Sequence, residues 1–345
     1  MTALSPDSGE QKLLPQKILD MNYAFARTAI LVAAVRLHLF TCLADKSLTA
    51  TELAAQITIA PESAQRLLRS LETLELVAKE AEVYRLTPIA RQFLVEGQPS
   101  YLGGDTLAMM DYIPAWFELD RTLQTSVPYR DLGNAATAEA FFAPRVLDLF
   151  PLIFPIASKT ASELSLGKTR ETALQVLDIG AGSAPWSAAF ALQYPAAHVT
   201  ALDLPEVVEQ GRQKIDSLDF KDRYTWIKAD MEDYTLPPLA HDLILCGHVC
   251  RFIGDERVKT LFARLAESLR PGGTLLVADI FLAEDSSRPS PAPTLDLSML
   301  VNTAQGRIRT VNEMAQWLRE NSLQDVQRFH VAGPFPLLIA RKEER

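Results

Sequence analysis

The sequence predicts an α/β chain in which a helical, winged-helix domain precedes a parallel sheet interleaved with helices. Three observations carry that expectation. Residues 173–192, "ALQVLDIGAGSAPWSAAFAL", read as a buried strand, a glycine turn and a helix. From about residue 171 strands alternate with helices, the pattern of a parallel sheet, whose neighbouring strands need crossovers. Before that point the patterning is helical and broken by one short hairpin. With 345 residues, 48% apolar and 22% charged, the chain has room for two ordinary globular cores. The expected divisions are an N-terminal domain at 1–100, a helical connector at 101–165 and the sheet domain at 166–345.

In residues 16–40, Phe25, Ala29, Val32, Val35 and Leu39 recur at helical spacing. Around 28–35 the helix is apolar on nearly every side, so it is expected to be buried in its own domain or against a second subunit. His38, near its end, reads as a packing or interface residue. Thr49 and Glu52 form a capping-box pattern, and Pro61 opens a second helix that turns Leu67, Leu68, Leu71 and Leu74 inward. "LVAKEAEVYRLT" then reads as a strand pair, completing a winged helix. Such a unit can enter a DNA groove, but residues 1–100 carry 10 Lys/Arg against 11 Asp/Glu, and the whole chain has a net charge of -9. That balance disfavours a phosphate backbone, so the wing is expected to serve dimerisation.

The opening "MTALSPDSGEQKLLPQ" is polar and lacks an apolar signal region. "TAILVAAV", flanked by Arg27 and Arg36, falls short of the ~20 apolar residues of a membrane span. Three cysteines, an odd number, suit a reducing compartment, so no membrane span and a cytoplasmic location are expected. In the connector, Met109, Met110, Tyr112, Trp116 and Phe117 fit either a core or a pocket wall. "SSRPSPAP" (286–293) reads as a loop or lid.

In the sheet domain, Asp178 is expected to end the first strand. Gly180 and Gly182 permit a tight turn and close ligand approach, and Pro185 starts the helix. Pro185 stands where a dinucleotide fingerprint wants a third small residue, which weakens an NAD reading. "AHVTALDL" ends in Asp203, 21 residues after Gly182, where a carboxylate grips ribose hydroxyls. "YTWIKADMEDY" ends in Asp230 and Met231, an acceptor for an exocyclic amine beside an apolar cover for a purine. "LILCG" forms the fourth strand. The following helix presents Val258, Leu261, Phe262, Leu265 and Leu269 on one face, stops at "RPGG", and gives way to the fifth strand, "TLLVADI".

"LDIGAGS", "ALDLP", "KADM" and "LRPGGTLLVADI", in this order and spacing, resemble the motifs of class I S-adenosylmethionine-dependent methyltransferases. With the winged-helix start, nearly the whole chain is similar to the O-methyltransferase family that includes the caffeate, hydroxyindole and bacterial natural-product enzymes. The resemblance implies a Rossmann-like seven-stranded sheet whose last strand, at "FPLLIARK" (335–342), runs antiparallel. It also implies a homodimer, S-adenosyl-L-methionine as cofactor and a small-molecule substrate. Carried over by position, Gly180 and Gly182 face the cofactor's methionine part, Asp203 its ribose, and Asp230 with Met231 its adenine. Asp178, Leu204, Cys246 and Gly247 complete the expected cofactor set, and Tyr112, Trp116, Met299 and Asn302 the expected substrate set.

Family members that methylate oxygen carry a histidine base after strand four, in a pattern near His-Asp-Trp-x-Asp-Glu. Aligning Asp255 and Glu256 with its last two residues puts Arg251 at the histidine position. Arginine cannot take a proton, yet it can hold an oxyanion and lower the acceptor's own pKa. Arg251 therefore fits a substrate that arrives anionic or readily becomes so, an acidic phenol, an enol or a carboxylate-bearing ring, with an enolate or phenolate attacking through oxygen or through carbon; otherwise it forms a surface ion pair with Asp255. His248 remains as a candidate proton acceptor, a hydrogen-bonding partner of the cofactor, or a packing residue. Cys246, His248 and Cys250 lack the turn geometry and fourth partner of a metal site, so no metal is expected. Two other classes stay open: a protein that binds S-adenosylmethionine without transferring methyl, and a ligand-responsive transcription factor.

Overall fold

The computed structural model describes residues 15–169, 171, 173–284, 290–331 and 336–344. Nearly all of the polar opening, and residues 286–289 of the expected loop or lid, lie outside them. Contacts divide the chain into two compact units, Met1–Leu107 and Ala108–Arg345. The first division therefore falls later than residue 100.

In the first unit, α1 (Gln16–Asn22), α2 (Ala24–Arg36) and α3 (Leu39–Cys42) replace the single helix expected at 16–40. The break before α3 falls at His38, whose backbone is left-handed at φ 54° and whose exposed ring pairs with Glu96. Val32, Val35 and Leu39 are buried as expected, whereas Phe25 is 66% exposed. Gln16–Arg36 spans 21 residues and is long and apolar enough, by length and composition alone, to cross a membrane. The shorter measure taken from the sequence missed this because it counted only the most apolar stretch. Next come β1 (Leu48–Thr49), α4 (Ala50–Gln56), α5 (Pro61–Thr73), β2 (Val77–Glu80), β3 (Val83–Leu86) and α6 (Pro88–Phe93). Thr49 and Glu52 close the capping box. Leu68 and Leu71 of α5 pack on Val77, Tyr84 and Leu86. β1 adds a third strand to the expected pair, in the order β1-β3-β2.

After α7 (Gly103–Ala108), the second unit opens with α8 (Ile113–Trp116), α9 (Leu119–Thr125), α10 (Ala135–Phe142) and α11 (Phe150–Glu163). Phe150, Ala157 and Ala161 share one core with Val176 and Phe190, so this part of the connector packs as a layer of the sheet unit. The sheet alternates: β4 (Gln175–Ile179), α12 (Pro185–Gln193), β5 (His198–Asp203), α13 (Pro205–Asp216), β6 (Tyr224–Lys228), β7 (His241–Gly247), α14 (Asp255–Ser268) and β8 (Leu269–Ala278). It finishes with β9 (Phe281–Leu282), α15 (Ala292–Asn302), β10 (Arg309–Thr310), α16 (Val311–Glu320), β11 (Leu323–Phe329) and β12 (Leu337–Lys342). Seven strands pair in the order β11-β12-β8-β7-β4-β5-β6, with β12 antiparallel to β8. Alternating side chains divide the core: Leu243 and Leu245 face the α11–α12 layer, Ile244 and Cys246 the α14–α16 layer.

Three details differ from expectation. "RPGG" does not close α14: the helix ends at Ser268, and Leu269 passes directly into extended backbone, so residues 270–273 belong to β8. Its glycines instead serve the register shift where β8 pairs with β7 between His241 and Leu243. β4 runs one residue past Asp178, and β6 stops at Lys228, leaving Asp230 and Met231 in the turn that follows.

Candidate active site

The carboxyl ends of β4, β5, β6 and β7 open onto one cavity of about 200 Å³, far above the ~10–15 Å³ that admits a single water. The far wall comes from the connector, chiefly Leu132, Phe142, Val146 and Leu149. This is the place where a doubly wound sheet binds ligands, at the crevice where strand order reverses.

Three left-handed residues shape the turn after β4: Gly180 at φ 62°, Gly182 at 59° and Ala184 at 59°. A Cβ on Gly180 would stand 2.4 Å from Val249 Cγ2, and one on Gly182 2.8 Å from Val146 Cγ2. The turn is therefore bare backbone under close packing. Gly247 answers the same need across the cavity, since a Cβ there would strike the Trp186 indole at 2.6 Å. At the end of β5, Asp203 accepts the backbone N–H groups of Gly182 and Leu204, each at 2.7 Å. Burial nevertheless pushes its carboxyl up to about 6. Behind the turn, burial pushes Asp178 up to about 7. Asp230 accepts the N–H of Glu232 at 2.9 Å, and Arg264 holds the Met231 carbonyl at 2.9 Å.

Among the described residues, three buried polar atoms near this turn have no hydrogen-bond partner: Asp178 Oδ2, Ser183 Oγ and Trp186 Nε1. Such orphans are costly unless a ligand satisfies them. Ser183 and Trp186, which line the cavity beside the bare glycine turn, offer two donors that match an amino-acid head group's carboxylate, and Asp203 matches a ribose. The residues present thus fit S-adenosylmethionine.

At the other end, β7 stops at Gly247 and His248 adopts left-handed backbone, φ 63°, with its N–H on the Ala278 carbonyl at 2.6 Å. A short 3-10 turn, Cys250–Phe252, follows. Arg251 donates through Nη1 to Asp279 Oδ1 at 2.7 Å and to His248 Nδ1 at 3.2 Å, and its guanidinium stacks 4.7 Å from the Phe252 ring. Arg251's backbone N–H also donates to Asp279 Oδ2 at 3.1 Å. The ion pair expected with Asp255 does not form: Asp255 is taken by Arg307 and Arg309. The turn aims Arg251 back at the end of β8 rather than along α14. Because arginine has no acceptor, His248 Nδ1 must accept, which places the imidazole proton on Nε2. Burial and the adjacent guanidinium push the histidine down to about 4.

Gly180, Gly182, Asp203, Leu204, Asp230, Met231, Gly247, His248 and Arg251 all line the cavity. Asp178 and Cys246 lie outside its lining; Cys246 points to the opposite face of β7, 3.7 Å from Cys250 Sγ. The four substrate candidates do not line it either. Tyr112 packs edge-on against Phe141 at 4.9 Å, Trp116 sits in α8, and Met299 and Asn302 are buried in α15. They form a layer behind the wall, where the carbonyls of Val301 and Asn302 accept the N–H groups of Tyr129 and Leu132. Sequence reasoning missed Trp186, Val249, Phe142, Val146 and Asp279. Only Asp279 carried a readable signal, an acid at a strand end like Asp203.

A seven-stranded sheet with an antiparallel last strand, a glycine turn after its first strand and a carboxylate ending its second defines a class I S-adenosylmethionine-dependent methyltransferase. The comparisons specify the family. An O-methyltransferase domain model matches residues 163–323, and an O-methyltransferase dimerisation domain model matches 19–96. The chain belongs to this O-methyltransferase family, and S-adenosylmethionine is its cofactor. It is 29% identical over 335 residues to the tetracenomycin polyketide synthesis 8-O-methyl transferase TcmO of Streptomyces glaucescens, covering 95% of this chain and 97% of that one. It is 26% identical to the 3-hydroxy-5-methyl-1-naphthoate 3-O-methyltransferase of Streptomyces sahachiroi, covering 93% and 92%. Human N-acetylserotonin methyltransferase, solved with S-adenosylmethionine, has the same fold, with TM-score 0.81, 22% identity and coverage of 97% and 99%.

Proposed function

We propose that this protein methylates an ionisable oxygen of a small aromatic or enolic molecule, with Arg251 holding the oxyanion. One observation carries the reading: Arg251, held by Asp279 through its guanidinium at Oδ1 and through its backbone N–H at Oδ2, lies at the cavity wall, where the family's oxygen-methylating members usually carry a histidine base. When bound, S-adenosylmethionine supplies an electrophilic methyl group. The chain's own residues do the rest. Gly180 and Gly182 admit the head group, Asp203 accepts ribose hydroxyls, and Asp230 with Met231 receives the adenine. Phe142, Val146 and Trp186 keep water from the acceptor, which strengthens the pull of Arg251 on its oxygen. The names of the two bacterial relatives, a polyketide and a naphthoate enzyme, support a flat acceptor.

The working form is a homodimer built through the first unit, without a nucleic-acid partner. Exposed Ile18, Met21, Tyr23 and Phe25 support this, as does the matched dimerisation domain. Arg66 pairs with Glu62 on α5, which removes a free cation from the helix that would face DNA. Gln16–Arg36 then packs against protein instead of spanning a membrane, and three free cysteines fit a cytoplasmic site of action.

The test is incubation with methyl-labelled cofactor and a panel of phenols and enols. Labelled methyl ether is expected, at least tenfold less of it from Arg251→Ala. Cofactor binding without transfer to any acceptor would refute the reading. An ambident phenolate or enolate held at oxygen by Arg251 also has a nucleophilic carbon, and the product's carbon-13 shift separates the two outcomes.

A further inference from the structure

We propose that the acceptor end of this cavity is a proton-donating pair, His248 Nε2–H with the free edge of the Arg251 guanidinium, containing no general base. It therefore accepts only acceptors acidic enough to ionise by themselves, namely acidic phenols and enols. This rests on the methyl-transfer reading and narrows it to a substrate class.

Four groups meet at this end. Arg251 comes from the turn after β7, Asp279 from the end of β8, Trp186 from α12, and His248 lies between them. For His248 to remove a proton through Nε2, its Nδ1 would have to carry a hydrogen. That hydrogen would point at an Arg251 N–H donor 3.2 Å away, and a guanidinium has no lone pair to receive it. The imidazole is held in the other tautomer. Its ring is neutral at working pH, since burial and the guanidinium both oppose a second proton. Left-handed backbone and the bond to the Ala278 carbonyl fix the main chain under His248, and Arg251 with Trp186 flank its ring.

Among the described residues no other group replaces it. Asp279 is only 3% exposed at its side chain, with Oδ1 accepting from Arg251 and Ile280 and Oδ2 from the Arg251 backbone. Asp203 ends β5, which is separated from β7 by β4; two strand spacings amount to roughly 10 Å. Asp230 lies one strand further still. Arg257, the remaining cation of the lining, is tied to Glu232 and to the Gly133 carbonyl.

What remains is stabilisation of an anion already formed. Among the described residues no acceptor takes His248 Nε2–H, nor the Arg251 N–H groups beyond Nη1. An opposite charge lowers an acid's pKa by about 1–3 units, and Arg251 already shares its charge with Asp279, so the low end applies. A phenol of pKa near ~10 would stay protonated at neutral pH, while one below about 8 would bind as its anion.

The experiment has two arms. In the first, 4-nitrophenol is titrated on the full-length protein, and its phenolate absorbance is read without any methyl transfer. The bound phenol's apparent pKa is expected to fall by about one unit, a tenfold shift in ionisation, and the shift is lost in Arg251→Gln. In the second, kcat/KM is measured against pH for phenols of graded acidity. Its lower limb is expected to move with each acceptor's own pKa, and Arg251→His is expected to raise turnover of the least acidic phenol at least tenfold. A lower limb fixed at one pH for every acceptor would reveal an enzyme base and overturn the proposal, as would a bound nitrophenol with unshifted pKa. If no acceptor is methylated at any pH, the methyl-transfer reading fails, and the absorbance titration still decides the donor pair.

Discussion

Arg309 does not line the cavity, yet its removal tests how the reactive turn is held. Its side chain is 2% exposed. It donates to the Cys250 carbonyl at 2.7 Å, the Ile253 carbonyl at 2.8 Å and Asp255 Oδ1 at 2.8 Å, and lies 5.4 Å from the Trp317 ring. Arg309→Met keeps the apolar stem but strips the buried Ile253 carbonyl of its side-chain donor, at about 1–3 kcal/mol, and leaves the Cys250 carbonyl with only the long 3.4 Å bond from the Ile253 N–H, at less than that. Asp255 retains both bonds from Arg307, so its charge is not orphaned and the total stays near ~3 kcal/mol. Urea unfolding followed by tryptophan fluorescence should show the midpoint falling by about 1 M at unchanged slope. Arg251 sits between the two released carbonyls, so kcat/KM for the acceptor should fall at least tenfold while cofactor affinity changes little. A midpoint within about 0.3 M of the parent would refute the view that Arg309 clamps this turn.

Three further outcomes follow from named contacts. Asp203 and Asp178 are raised from 3.8 to about 6 and about 7, so between those limits the folded, cofactor-free chain holds more protons than the unfolded one. Its stability contribution from this pair is complete below about pH 4 and declines as pH rises to 7. Cofactor affinity should run the opposite way, tightening about tenfold from pH 5 to 7 in calorimetry, because an ionised Asp203 accepts ribose hydroxyls better; an Asp203→Asn variant keeping that slope would exclude Asp203 as its source. Gly247→Ala drives a methyl group into Trp186 and should cost about 1–3 kcal/mol. Adding Trp186→Leu should recover at least ~1 kcal/mol of that, and strict additivity in a double-mutant cycle would show the two do not touch. Met21→Lys with Phe25→Lys should shift sedimentation toward the monomer, and an unchanged dimer would place the interface elsewhere.

The fold was legible because its signals are local and periodic. "LDIGAGS" must turn at its glycines, and Asp203 must close a strand, whatever the rest of the chain does. The substrate wall was less so. Tyr112, Trp116, Met299 and Asn302 have the apolar or amide character of a pocket, but pattern cannot tell a wall from the layer that braces it. Val146 and Phe142 face the cavity from the same ambiguous stretch. "RPGG" misled for a related reason: glycine after a helix usually caps it, and here the helix passes straight into a strand that needs the glycines for its register.

The Arg251 pairing shows where sequence spacing stops being informative. An i,i+4 partner presumes a continuous helix, but Cys250–Phe252 form a separate turn and α14 begins only at Asp255. Each end of that turn is fastened by a different element. Ala278 receives the His248 N–H, Asp279 the Arg251 N–H, and Arg309 supplies donors to the Cys250 and Ile253 carbonyls. A fixed guanidinium benefits from such fastening, because its whole effect is to be in place before charge develops, with no reorganisation at the moment of reaction. The bonds that hold the six residues of this turn therefore belong to the same proposal as Arg251 itself, and loosening any of them is expected to weaken its hold on an oxyanion.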